Sequence, residues 1–275
     1  MNIAAVNTAS RKPQAEPQGV GLLIKVFQIL DLFTDEHSAW TQTELAQETR
    51  LARSTLSRLV RFLCARSYLM EQRGRYVLGY AAIDLGRRAQ LQFNLIDICY
   101  DLLEEVAQVT GETAILGGYD ESRNCVVCLA QIPSRYGGLR VFENIGNTYP
   151  VYAGATSKAI LAFLPEPRLL HLLGGDLTPV NPAVRFTAKR LRDQIADIRA
   201  RKFVVTHEET YPGVVGIGVP LLTPRGEALG SIALGAPKHR MDPKTIKRWS
   251  ELLLDIGGRA AKRIAGSSSA DGAGQ

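Results

Sequence analysis

The chain is poor in cysteine. Its four copies in 275 residues, Cys64, Cys99, Cys125 and Cys128, are too few and too scattered for a disulfide scaffold. A reducing, cytoplasmic setting is the expectation that follows. Long apolar runs are missing as well: none approaches the roughly 18 residues that cross a bilayer. The opening "MNIAAVNTASRKPQAEPQGV" has no continuous apolar segment of the signal-peptide kind, so no membrane partner is expected. Histidine is scarce, with four dispersed copies, and no acid–base pair or Ser-His-Asp arrangement stands at an interpretable spacing. The expectation is a protein that is not an enzyme and carries no cofactor. Aromatic residues make up 7% and form no RNP-type strand, and no RNA-clamping GXXG loop is present, which argues against the common RNA-binding modules.

What the chain does have is ordinary globular material, 45% hydrophobic and 22% charged, at a length sufficient for two modest domains. Its formal charge is +6, and the charge is local. Between Arg50 and Arg75 stand seven basic residues (Arg50, Arg53, Arg58, Arg61, Arg66, Arg73, Arg75) against one acid, Glu71. That stretch alone carries as much net charge as the whole chain.

Residues 1–19 are polar and proline-dotted, the composition of a disordered arm, and residues 265–275 read as a flexible tail. Between them, "GLLIKVFQILDLF" (21–33) has helical spacing. Thr41 with Glu44 three residues later forms a capping box opening a second helix, with Trp40 placed to staple onto Leu45. A third helix follows, and "YLMEQRGRYVLG" (68–79) predicts two short strands around a turn at Arg73-Gly74. Residues 81–110 predict a long helical linker, broken near Asn94 and stopped at Gly111. Beyond it the period switches to two in "TAILGGY" and "CVVCLAQI". Helices are expected at about 157–164, 166–173, 187–201 and 242–264, with a second hairpin formed by "VVGIGVPLL" and "ALGSIALGA". This order suggests an α+β fold on an antiparallel sheet.

The third helix, "LARSTLSRLVRFL" (51–63), is sharply two-faced. At about 100° per residue Leu56, Leu59, Val60 and Leu63 share one arc, and Ser54, Ser57, Arg58 and Arg61 share the other. A solvated arginine face explains such a helix equally well when it stands alone. Its context favours DNA: a capped helix and turn before it, a hairpin tipped Arg-Gly-Arg after it, together a winged helix-turn-helix. Base reading is expected from Ser57, Arg58 and Arg61, phosphate contacts from Arg53, Ser54 and Thr55 at the helix start, and wing contacts from Arg73 and Arg75.

The stretch "TQTELAQETRLARSTLSRLVRFLCARSYLMEQRGRYVLG" resembles the signature of the IclR family of bacterial transcription regulators. So do "TGETAIL" (110–116), "YAGATSKAILAFLP" (152–165) and "GVVGIGVPLLTPRGEALGSIALGAP" (213–237), in family order over residues 20 to 264. Two departures stand out: Arg50 and Ser67 occupy positions where the family usually has glycine.

The resemblance implies a DNA-binding domain at 20–80, a linker helix at 81–110 and a GAF/PAS-like effector-binding domain at 111–264. It also implies a dimer or tetramer on a pseudo-palindromic operator in double-stranded DNA, and a small organic acid as effector of a metabolic operon. In "GATSKA" (154–159) the amides of Ala155, Thr156 and Ser157 offer a carboxylate site, although Thr156 or Ser157 capping its own helix explains the motif too. By motif alignment the other pocket positions are Thr206, Gly216, Ala233 and Gly235. Relatives that bind very small keto acids carry an acid, a thiol and two serines there, so a bulkier, less polar acid is expected. Tyr136 and Arg140 in "SRYGGLR" (134–140) are candidates for a lid and a carboxylate partner.

Other motifs carry less. In a strand, Cys125 and Cys128 diverge, and no second ligand pair completes a metal site. "HEETY" (207–211) lacks the second histidine of a zincin, and "GATSKA" lacks the glycine spacing of a P-loop. The rival reading is an enzyme or metabolite-binding protein with a GAF-like domain and no DNA role.

Overall fold

The computed structural model describes residues 19–90, 94–136 and 141–271. The chain divides into two compact units, Met1–Gln92 and Phe93–Gln275.

The first unit holds α1 (Gly21–Leu30), α2 (Gln42–Thr49), α3 (Arg53–Ala65), a hairpin of β1 (Leu69–Gln72) and β2 (Arg75–Leu78), and α4 (Tyr80–Gln90). The capping box is formed as expected. Thr41 Oγ1 accepts from the Glu44 amide at 3.2 Å, and the Glu44 carboxylate accepts from the Thr41 amide at 2.6 Å. Trp40 and Leu45 are both buried in the core that Ile29, Leu56, Leu59, Val60, Leu63 and Leu69 complete. Trp40 also ties the hairpin down. Its backbone pairs with that of Tyr76 at 3.0 and 2.7 Å, and its indole N–H donates to the carbonyls of Leu32 and His37. The hairpin turn places Arg73 and Gly74 both at positive φ, the requirement of a two-residue type I′ turn.

The two departures from the glycine pattern now have a physical meaning. Arg50, at the C-cap of α2, has φ +55°, and Ser67, after α3, has φ +58°. Both side chains therefore sit in the left-handed region, where a Cβ crowds the backbone.

The second unit is a six-stranded antiparallel sheet in the order β5-β4-β3-β8-β7-β6. Its strands are β3 (Thr113–Asp120), β4 (Cys125–Ile132), β5 (Thr148–Pro150), β6 (Val204–His207), β7 (Val214–Leu222) and β8 (Ala228–Pro237). One face packs on α5 (Asn94–Thr110) and α9 (Pro243–Asp271): Leu116, Ile217, Val219, Ile232 and Leu234 join Leu102, Val106, Trp249, Leu253 and Ile256 in one core. The other face carries α6 (Ala155–Leu161), with α7 (Glu166–Leu173) and α8 (Ala188–Arg201) beyond it. Glycine makes this second face possible. A Cβ at Gly218 would stand 2.6 Å from the Ala155 carbonyl oxygen, so only glycine lets the backbone of α6 lie directly on β7.

Two expectations change. The stretch 81–110 holds two helices, with α5 starting at the expected Asn94: α4 belongs to the first unit, whereas α5 is part of the second unit's core. Its apolar residues Cys99, Leu102, Leu103 and Val106 are fully buried, which a solvent-bridging linker would not need. The flexible tail also shortens, because α9 continues to Asp271. Extending an existing helix fixes one residue per added hydrogen bond and requires no new nucleus. The arm at residues 1–18 lies outside the described residues.

Ser67→Gly should raise stability by about 0.5–1 kcal/mol, the relief of left-handed strain less the added freedom of the unfolded chain. Ser67→Val should lower it by more than about 1 kcal/mol, since a β-branched side chain fits that region worst. Urea unfolding midpoints compare the three proteins directly.

Candidate nucleic-acid interface and ligand cavity

The α3 face is set by its core side. Leu56, Leu59, Val60 and Leu63 are buried, which leaves Arg53, Ser54, Arg58 and Arg61 exposed and Thr55 and Ser57 half-buried. No carboxylate among the described residues pairs with Arg53, Arg58, Arg61 or the turn residue Arg73. The N-cap is Ala52, which has no side-chain acceptor, so the first-turn amides keep their affinity for an anion. Arg75 differs from the other candidates. Its guanidinium donates to the Ala39 carbonyl at 3.1 Å and meets Glu44 at 3.4 Å. It ties the hairpin to the start of α2, and its side chain remains half exposed.

In the second unit a cavity of about 50 Å³ lies between α6 and the sheet. Of the expected residues, Ala155, Thr156, Ser157, Thr206, Gly216 and Gly235 line it. Strand pairing brings the last three together, for Thr206 faces Gly216 and Gly216 faces Gly235 across β6, β7 and β8. Neither Thr156 nor Ser157 caps α6. The N-cap is Gly154, with no side-chain cap, and its amide donates to Glu209 Oε2 at 3.1 Å.

Two expected residues fall outside the lining, and a third is not among the described residues. Ala233 is buried opposite Gly218, which α6 covers, and is not part of the lining. The Tyr136 ring packs against Gly111, with the Arg240 guanidinium 5.0 Å from its centre; Arg240 is in turn held by the fully buried Glu112. Arg140 lies outside the described residues.

The cavity also carries more polar groups than the motif positions alone suggest. The lining includes Glu143, Tyr149, Glu209, Thr210 and Tyr211, none of which motif alignment had singled out. Three of them belong to "HEETY", the stretch that looked like a broken metal motif. Its Glu209 instead forms a buried ion pair with Lys158 of α6, whose side chain is 1% exposed and also donates to Gln194 at 2.7 Å. Burial lowers the Lys158 ammonium below its usual pKa, and Glu209 opposes that shift.

Among the described residues Glu143 has no such partner. It is 8% exposed, and its Oε2 makes no hydrogen bond. Burial pushes its carboxyl up to about 7, against a hydrogen bond from Tyr149 that favours ionisation. The Tyr149 hydroxyl stands 2.7 Å from that of Tyr211, and burial raises both phenols. Cys128, close by on β4, is likewise pushed up to about 12 by burial, so its thiol stays protonated and unreactive.

Residues 22–73 match the model of the IclR helix-turn-helix domain, and residues 89–261 match that of the bacterial transcriptional regulator IclR C-terminal domain. The chain is 26% identical over 236 residues to the HTH-type transcriptional regulator XynR of Escherichia coli (strain K12), covering 85% of this chain and 92% of that one. Among solved structures it resembles an IclR transcriptional regulator from Alicyclobacillus acidocaldarius, with a TM-score of 0.78 at 21% identity, over 89% of this chain and 98% of the other. It also resembles an IclR homolog from Microbacterium hydrocarbonoxydans complexed with 4-hydroxybenzoate, with a TM-score of 0.76 at 20% identity, over 89% and 99% of the two chains.

The Glu143 carboxyl titrates near 7 in the folded chain against 4.5 as the reference. The folded state therefore holds the proton more tightly, and the stability this group contributes is complete below pH 4.5 and lost as pH rises towards 7. Glu143→Gln removes that loss. The variant's stability relative to wild type should rise between pH 5 and pH 8, by up to roughly 3 kcal/mol. Urea unfolding at the two pH values reads the difference, and an equal offset at both would show that Glu143 ionises normally.

Proposed function

The chain belongs to the IclR family of bacterial transcriptional regulators, and on that footing we propose which of its residues touch DNA and what it senses. It is a DNA-binding transcriptional regulator. In the proposed docking, α3 lies in the major groove, with Ser57, Arg58 and Arg61 at the base edges. Arg53, Ser54 and Thr55 hold the phosphate at the helix start, and Arg73 at the hairpin tip meets the backbone beside it. Arg75, half exposed, ties the wing to the start of α2. The exposed α3 face, whose arginines have no ion pair among the described residues, carries this reading.

Such a domain buries only roughly 600–1,000 Å² on DNA, so pairing of two chains on a pseudo-palindromic operator is part of the proposal. Exposed apolar side chains on α1 (Leu22, Leu23, Phe27) and on α4 (Tyr80, Ile83, Leu85) support self-association. The cavity under α6 is proposed as the effector site, responding to a small organic acid in the control of a metabolic operon. Its volume suits a molecule of a few heavy atoms, and a homolog of this fold is known in complex with the acid 4-hydroxybenzoate.

Fluorescence anisotropy with the chain's own upstream DNA tests the docking. Arg58→Ala should cost about 1–3 kcal/mol on the specific site and relax its sequence preference. Arg73→Ala should weaken all sequences alike and reduce the salt slope by about one unit. Wild-type binding by both variants would refute the docking. Ile83→Asp should lower the mass seen by sedimentation at micromolar concentration, and an unchanged mass would remove α4 from the interface.

A further inference from the structure

We propose that Glu143 receives the effector as a protonated acid, so that a small monocarboxylate enters the cavity together with one proton. The proposal rests on reading this cavity as the effector site. Glu143 lines the cavity, and its buried Oε2 has no hydrogen-bond partner among the described residues. A buried carboxylate oxygen left without a donor is costly. Tyr149 donates to the carboxyl, but this bond does not offset the effect of burial. The groups that face Glu143 are Tyr149 from β5, Tyr211 from the turn before β7 and Cys128 from β4, and among the described residues none of them is a cation. Gln131 accepts the backbone amide of Glu143 and leaves the carboxyl alone.

The remaining charges on this wall are already committed. Glu209 accepts from Lys158 through Oε1 and from the Gly154 amide through Oε2, and the Lys158 ammonium is shared between Glu209 and Gln194. An ionised Glu143 would therefore repel an incoming carboxylate with no counter-charge from these groups. A protonated Glu143 reverses the interaction. Its O–H donates to the ligand carboxylate, and hydrogen bonds of this charge-assisted kind are short and about twice as strong as neutral ones. The proton comes from solvent, stays between the two carboxyl groups while the ligand is bound, and returns to solvent on release. Apart from the O–H bond made on uptake and broken on release, no covalent bond changes.

The same atoms set what the site rejects. A dianion brings a second charge that one proton does not neutralise. A neutral hydroxylated ligand would donate to an ionised Glu143 and take up no proton, so proton uptake separates the two chemistries.

Calorimetry on the full chain, with pyruvate and 4-hydroxybenzoate as probes, reads this directly in two buffers of different ionisation enthalpy. At pH 8 the buffer dependence of the heat should correspond to one proton taken up per ligand, and Kd should rise about tenfold per pH unit above 7. Glu143→Gln, neutral at every pH and still a donor, should bind with a Kd that is flat from pH 6 to 8.5. Binding by wild type with no proton uptake and a flat Kd would overturn the proposal while leaving the cavity as the binding site. A Glu143→Gln variant that keeps the wild-type pH slope would overturn it too. Absence of binding by either probe at any pH would overturn the acid reading of the cavity, and this proposal with it.

Discussion

The way α3 is seated governs what the first unit presents to a partner. Leu56, Leu59, Val60 and Leu63 enter one core with Ile29, Trp40 and Leu45, and burying each such side chain is worth about 1.5–3 kcal/mol. Rolling the helix by half a turn would expose all four and bury Arg58 and Arg61 without counter-charges, at a cost of several kcal/mol for each arginine. The guanidinium face therefore points outward because the leucine face has nowhere else to go. Trp40 and the hairpin secure that orientation: the Trp40–Tyr76 backbone pairing and the contacts of Arg75 with Ala39 and Glu44 lock the wing to the start of α2.

In the second unit a comparable constraint creates the cavity. Gly216 and Gly218 remove the side chains that would hold α6 off the sheet, and the Lys158–Glu209 pair fixes the turn before β7 against α6. A buried pair of this kind adds little net stability, but removing one partner strands the other charge. Its value here lies in position. Glu209 holds the Gly154 amide, and so sets where α6 begins and how its first turn meets the strands. The cavity then closes with Tyr149, Tyr211 and Glu143, three polar side chains brought from separate segments.

Legibility in the sequence followed the range of the interactions. The capping box at Thr41 and Glu44, the Arg73-Gly74 turn and the two faces of α3 are local and periodic, and each appears in the structure where the residues placed it. Thr206, Gly216 and Gly235 were found through family motifs, and strand pairing does bring them side by side. Glu143 and Tyr149 were missed because a single glutamate and a single tyrosine in a loop and a three-residue edge strand carry no period. Their burial comes from tertiary packing. "HEETY" did attract notice, but for its chemistry as a metal motif; its role depends on Lys158, 51 positions away from Glu209. The contacts of Arg75 within the first unit are not legible for a related reason, since its partners Ala39 and Glu44 are more than 30 positions upstream.

In the proposed docking the outward side of α3 reads base edges in the major groove. Methylation interference at guanine N7, a group that lies in that groove, tests it most directly. Methylation should block binding at two clusters of guanines, spaced by about one helical turn (roughly 34 Å) or a multiple of it, and Arg58→Ala should become indifferent to one guanine in each cluster. Bound DNA that carries methylated guanine N7 at every position as often as unbound DNA would contradict the docking.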